Sequence, residues 1–313
     1  MNTYNWKIAF FYNAISRFGV PNFFMISGAL FLNRDISYKK MFNKYIKKLV
    51  INLVVWSFFY SVINNNISEL RIKKIIINFF FGPRHLWFLF VIIGLYMIVP
   101  FLREISKRDD LLQYFLILSF IFTFVIPNIN YFISCYSIII SQIIESLNKN
   151  FNMNFIKGYV FYYMFGYYLN NITNMNIYKK IFIYLCGLIG FYFTVIILYR
   201  NSVLNKKKKD IILFRALNLN ILAYSTSVFI AAKMYFNSFN SKIRYYLQKL
   251  SKYSFGIYLV HPFIIKNVYK YHYYFTFKNI LYRIPFISLL VFILSLILSI
   301  IIKSTPFIGN YIL

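Results

Sequence analysis

The chain has 313 residues, 60% of them hydrophobic and 13% charged, with a formal charge of +28 and a mean hydropathy of +0.60. That is too little charge for a water-soluble domain of this size, and the Lys and Arg residues sit in short loops between apolar blocks, where membrane proteins keep them, so a nucleic-acid partner is excluded. Two cysteines, Cys135 and Cys186, lie far apart without CxxC spacing and indicate neither a metal site nor a disulfide framework.

The apolar residues come in blocks of roughly 18–22, the length that crosses a bilayer as helix. The predicted fold is all-α: a polytopic transmembrane helical bundle of about nine spans, built as a single membrane domain over residues 1–313. The start, MNTYNWKIAFFYNAISRF, lacks the basic stretch and small-residue cleavage site of a secretory signal. The first predicted span covers 18–33, with Arg17 at its outer end and Ser27 and Gly28 breaking an otherwise bulky run. Small residues there also fit close helix packing, and Arg17 also fits a snorkelling cation. The second span covers 45–64. The stretch from Ile67 to Phe81 reads as an interfacial helix, basic on one side and apolar on the other.

The third span, 86–103, is preceded by Arg84 and His85 and contains Trp87. On a helix His85, Tyr96 and Arg103 fall near one face. Arg84, His85 and Trp87 together also fit a headgroup anchor. Span four covers 111–128. Residues Tyr131 to Leu147 are apolar but interrupted by Ser, Gln and Glu, and read as an interfacial segment or a tenth span. Further spans follow at 155–171, 179–199, 216–236, 250–267 and 284–303.

Residues 34–48 carry Arg34, Lys39, Lys40, Lys44, Lys47 and Lys48, which places that loop in the cytoplasm. The 103–110 and 237–252 loops then also face inward, and 129–154, with only Lys149, faces outward. The basic 200–215 loop opposes this scheme. Nine spans put the amino terminus outside and the carboxyl terminus inside.

The span at 250–267 carries the most information. Ser251, Ser254, Tyr258 and His261 are spaced 3, 4 and 3 apart and form one polar stripe on a helix. Pro262 cannot donate the bond that would go to the Tyr258 carbonyl, so a free acceptor lies beside the stripe. An ionisable side chain inside an apolar run is a functional-site candidate. A core histidine bonded to a neighbouring serine or carbonyl is the plain alternative. His272, in KYHYYF, sits in an aromatic and basic loop and reads as structural. None of the seven acidic residues lies inside an apolar block, so a carboxylate relay in mid-membrane is hard to build. No Walker loop, GxGxxG, HExxH or GxSxG is present. Proton chemistry therefore falls to histidine or tyrosine.

Three segments, SRFGVPNFFMISGALFL (16–32), HLWFLFVIIGLYMIVPFLREI (85–105) and SFGIYLVHPFII (254–265), resemble, in this order, the acyltransferase-3 family of integral membrane acyltransferases, nearest in look to the bacterial proteins that O-acetylate surface polysaccharides. The resemblance implies an O-acyltransferase of the bacterial cytoplasmic membrane. It takes an acyl group, commonly acetyl from acetyl-CoA, to a hydroxyl of a lipid-linked or exported glycan, without a metal. Its implied partners are acyl-CoA, the glycan acceptor and membrane lipid. The 34–48 lysines suit coenzyme A phosphates as well as they suit inward-facing markers.

The family usually starts with a further helix bearing an arginine and a histidine treated as catalytic. This chain begins after that helix, which matches nine spans against the family's ten and leaves a misassigned start, a truncated gene or a degenerate, inactive member as explanations. His261 or His85 would then act as general base, Arg17 would steady the developing negative oxygen or bind an acceptor group, and Ser254 and Tyr258 would orient the imidazole. Ser27, Trp87, Ser254 and Tyr258 are the substrate-binding candidates. The competing class is a transporter or flippase for a polysaccharide intermediate, which would scatter polar residues over several spans.

Overall fold

In hydrocarbon every backbone N–H and C=O must be satisfied within its own segment, so a chain this apolar has few options besides helix. The computed structural model describes residues 3–63, 72–203, 216–270 and 279–305. These form fifteen α-helices and, among the described residues, no strand. The all-α membrane architecture predicted from composition is what the chain adopts.

Among the described residues six stretches are long and apolar enough to cross a membrane: Asn5–Leu32, Tyr38–Ile63, Ile75–Ser106, Asp109–Ser134, Ile177–Ile197 and Ile280–Ser304. This is fewer than the nine expected. The spans expected at 155–171, 216–236 and 250–267 form α10 (Tyr159–Asn171), α12 (Leu219–Tyr235) and α14 (Ser254–Lys270), of 13, 17 and 17 residues. At about 1.5 Å per residue these helices reach roughly 20–26 Å, short of the ~30 Å hydrocarbon layer. The first expected span is preceded by a helix that periodicity did not mark. The helix α1 (Thr3–Ser16) runs to a turn at Arg17 and Phe18, and α2 (Gly19–Leu32) follows. Pro21 falls in the first turn of α2, where a missing N–H costs no helical bond.

Residues Tyr131 to Leu147 resolve into α8 (Ile126–Ser134) and α9 (Ile138–Asn150), broken at Cys135 and Tyr136. The 13 residues of α9 are too short for a tenth span. Ile139 and Ile143 are exposed on it, as an interfacial helix requires. The predicted interfacial segment after Ile67 begins at α5 (Ile72–Phe81) within the described residues. The 204–215 part of the basic loop and His272 lie outside them.

The chain divides into two compact units. The first holds residues 1–35 and 99–238. Its centre is α2 packed on α10 through two glycines. A Cβ on Gly28 would overlap the Tyr163 backbone, and one on Gly166 would overlap the Met25 backbone. Only a bare Cα permits that approach. The same device joins α11 (Ile177–Val203) to α12, where Gly187 faces the Ser227 side chain and Gly190 the Asn220 carbonyl. Asn220 Nδ2 adds a 2.8 Å bond to Thr194 Oγ1, which itself donates to the Gly190 carbonyl at 2.8 Å. Lys233 on α12 closes the carboxyl end of α10, its Nζ donating to the carbonyls of Leu169, Asn170 and Ile172 at 3.0, 2.6 and 2.8 Å. A cation there also suits the negative end of the helix dipole.

The second unit holds residues 36–98 and 239–313. It contains α3 (Tyr38–Lys40), α4 (Lys47–Ile63), the first part of α6 (Trp87–Ser106), α13 (Ser241–Ser251), α14 and α15 (Ile280–Ser304). Trp56, Tyr60, Leu86, Leu89, Leu259 and Val260 form its buried core.

Candidate active site

The site lies within the second unit, where three short pieces of chain meet. Gly82, at φ +64°, sits in the left-handed region that a side chain rarely adopts, and Pro83 follows with φ −69° and ψ 145°. The two turn the chain out of α5 and into a 3₁₀ turn, Arg84–Leu86, closed by a 2.9 Å bond from Leu86 N–H to the Pro83 carbonyl. That turn carries His85 to the core. Because it precedes α6 and follows a three-residue pitch, the face predicted to run His85, Tyr96, Arg103 does not begin at His85. Arg103 has its own carboxylate, Asp35, at 4.0 Å within the first unit.

The rings converge around His85. Tyr60 of α4 meets it edge-on with centroids 4.6 Å apart, His261 of α14 stands 6.1 Å away, and Tyr258 stands 6.4 Å away. Main-chain oxygens fix the arrangement. Tyr258 Oη donates to the His85 carbonyl at 2.5 Å, and Tyr60 Oη donates to the Leu259 carbonyl at 2.8 Å. His261 Nδ1 lies 2.7 Å from the carbonyl oxygen of its own helix neighbour Tyr258. A carbonyl only accepts, so Nδ1 carries the proton and, in the neutral ring, Nε2 carries the lone pair. His85 Nε2 is buried and has no hydrogen-bond partner among the described residues. A buried polar atom of this kind is costly unless it is met by a partner beyond the described residues. A cavity of about 230 Å³ opens beside Tyr60 and Arg84, lined also by Ser61, Asn78, Gly82 and Pro83. Tyr60, which lines it, is its link to the ring cluster.

Of the residues singled out from sequence, His85, His261 and Tyr258 are brought together. Ser254 opens α14 one turn before Tyr258 and is half-buried. Ser251 leaves the stripe: Lys252 and Tyr253 form a turn, so Ser251 ends α13 and donates to the Gln248 carbonyl at 2.8 Å. Trp87 is 38% exposed. Arg17 and Ser27 belong to the first unit. There Arg17 Nε donates to Asn13 Oδ1 at 2.8 Å, and Ser27 precedes the glycine that seats α2 on α10. Nothing in the sequence singled out Tyr60 and Trp56, while Arg84, read as part of a headgroup anchor, lines the cavity. Tyr60 and Trp56 lie in WSFFYS, an aromatic run with no spacing to set them apart from packing.

Among the described residues no three His, Cys, Asp or Glu side chains group closely enough to hold a metal ion. Two imidazoles thus stand together inside a multi-pass helical membrane protein, one of them with its Nδ1 engaged by a main-chain carbonyl. A family model described as an acyltransferase domain matches residues 2–303. The chain belongs to the acyltransferase-3 family and is an acyltransferase. No curated protein and no solved structure matches it.

Proposed function

We propose that this acyltransferase moves an acyl group, acetyl in the simplest case, from acyl-CoA to a hydroxyl of a lipid-linked or exported glycan in the bacterial cytoplasmic membrane, with His261 as general base. The observation that carries the reading is the 2.7 Å approach of His261 Nδ1 to the Tyr258 carbonyl, which leaves Nε2 as acceptor. A sugar hydroxyl is too weak an acid to attack a thioester unaided. As its oxygen bonds to the acyl carbon, its proton passes to Nε2, an assistance worth about 10²–10⁴-fold. The carbon–sulfur bond then breaks, and the imidazolium returns the proton to the departing thiolate. His85 Nε2, lacking a protein partner among the described residues, is the second polar contact for the reacting groups.

Arg17, in the first unit, is assigned to binding an acceptor group. Ser254 orients the His261 ring through α14, and Ser27 and Trp87 are assigned to substrate binding. The basic residues of 34–48 are assigned to coenzyme A phosphates. One functional domain spanning both units is supported by a family match that runs across both. The test is acyl transfer from labelled acetyl-CoA by membranes carrying the full chain or its His261→Ala, His85→Ala or Arg17→Ala variant. His261→Ala is expected to lower turnover by about 10²–10⁴-fold. Unchanged turnover in both histidine variants removes this mechanism.

A further inference from the structure

We propose that Pro262 is a positioning residue for the transfer reaction, acting by leaving the Tyr258 carbonyl open so that it holds His261 in the Nδ1–H form. The inference rests on the reading of His261 as the base and adds what sets its tautomer. In an unbroken α-helix the Tyr258 carbonyl accepts the N–H four residues on. That residue is Pro262, inside α14, and proline has no N–H to give. The carbonyl is therefore vacated by sequence, at a place where water is scarce and an unmet acceptor is costly. The side chain that meets it is His261, at 2.7 Å.

The neighbouring carbonyl, Leu259, takes Tyr60 Oη at 2.8 Å, so the turn ahead of the proline is bonded by two side chains, one of them the imidazole. Proline thus does two things with one missing hydrogen. It frees the acceptor, and it obliges the imidazole to present a donor to it. Since a neutral ring has one N–H only, the lone pair is directed to Nε2. A free histidine prefers the opposite tautomer, so without the carbonyl the base would be lost from the reactive edge.

The experiment uses the full-length protein labelled with ¹⁵N-histidine in lipid or detergent. Three histidines make the spectrum assignable with His85→Gln and His272→Gln. In the unaltered chain His261 is expected to show a single form, protonated at Nδ1. In Pro262→Ala the restored N–H competes for the carbonyl, the signal is expected to shift toward the Nε2–H form, and kcat is expected to fall about 10- to 100-fold with KM for the acyl donor unchanged, the direction a wrong tautomer gives. Alanine is the better helix former, so loss of folding does not mimic this outcome, and Pro262→Ser provides a second variant with an N–H. An Nε2–H signal in the unaltered chain, or an Nδ1–H signal retained in both variants, overturns the inference. Full turnover in His261→Ala overturns instead the reading on which it rests, whatever the spectra show.

Discussion

Tyr258 does two jobs, one with its main chain and one with its side chain. Its carbonyl accepts the hydrogen bond from His261 Nδ1, and its hydroxyl donates to the His85 carbonyl. Removing the hydroxyl alone separates the jobs. Tyr258→Phe keeps the ring contacts with Phe88 and Phe255 and deletes the bond to the 3₁₀ turn. A hydrogen bond in this setting is worth about 1–2 kcal/mol, so turnover is expected to fall about tenfold with folding retained, measured by the same transfer assay alongside thermal stability in detergent. Full activity in Tyr258→Phe removes the hydroxyl from the site. Residue by residue, legibility was uneven for physical reasons. Ser254, Tyr258 and His261 share one helix, and a period of 3.6 is visible in any sequence. Tyr60 reaches the cluster from 199 positions away along the chain from its acceptor Leu259, and nothing in WSFFYS encodes that distance.

The helices themselves report how much of the packing was written in composition. Gly28 stood out as a small residue in a bulky run, and its partner on α10, Gly166, did not, because GYY within an aromatic helix gives no contrast. The close pair follows from both. Gly28→Ala and Gly166→Ala are each expected to destabilise the first unit by about 1–3 kcal/mol or more, because the added methyl meets backbone that cannot yield. Gly94→Ala, with nothing within 4 Å of the added carbon, is expected to be neutral or slightly stabilising, since alanine favours helix by about 1 kcal/mol. Thermal unfolding of purified protein checks all three, and equal behaviour of Gly28→Ala and Gly94→Ala removes the close-contact account. Helix ends were the least legible feature. Hydropathy ran smoothly through 155–171, yet α10 starts only after Gly158, at φ +87°, and stops where Lys233 captures its last carbonyls. Both ends depend on parts of the chain that a sliding window does not see.

For the molecule as a whole, its two cysteines are natural reporters of topology. Cys135 is exposed at the break between α8 and α9, and Cys186 is partly buried within the apolar α11. The loop charges predict that 129–154 lies on the outer side. An impermeant maleimide applied to intact cells is expected to label Cys135 and spare Cys186, with Cys135→Ser abolishing the signal. Labelling of Cys135 only after the membrane is opened reverses the orientation.

The oxygens that hold the site's rings belong to the main chain at residues 85, 258 and 259. No codon change deletes a peptide carbonyl, and none of the three titrates. Loss-of-function alleles in this region will therefore gather at the ring-bearing positions and at Pro262, while Leu259, whose carbonyl is just as much a part of the scaffold, will accept other apolar side chains of similar volume. A screen of random variants reads this anchoring as silence.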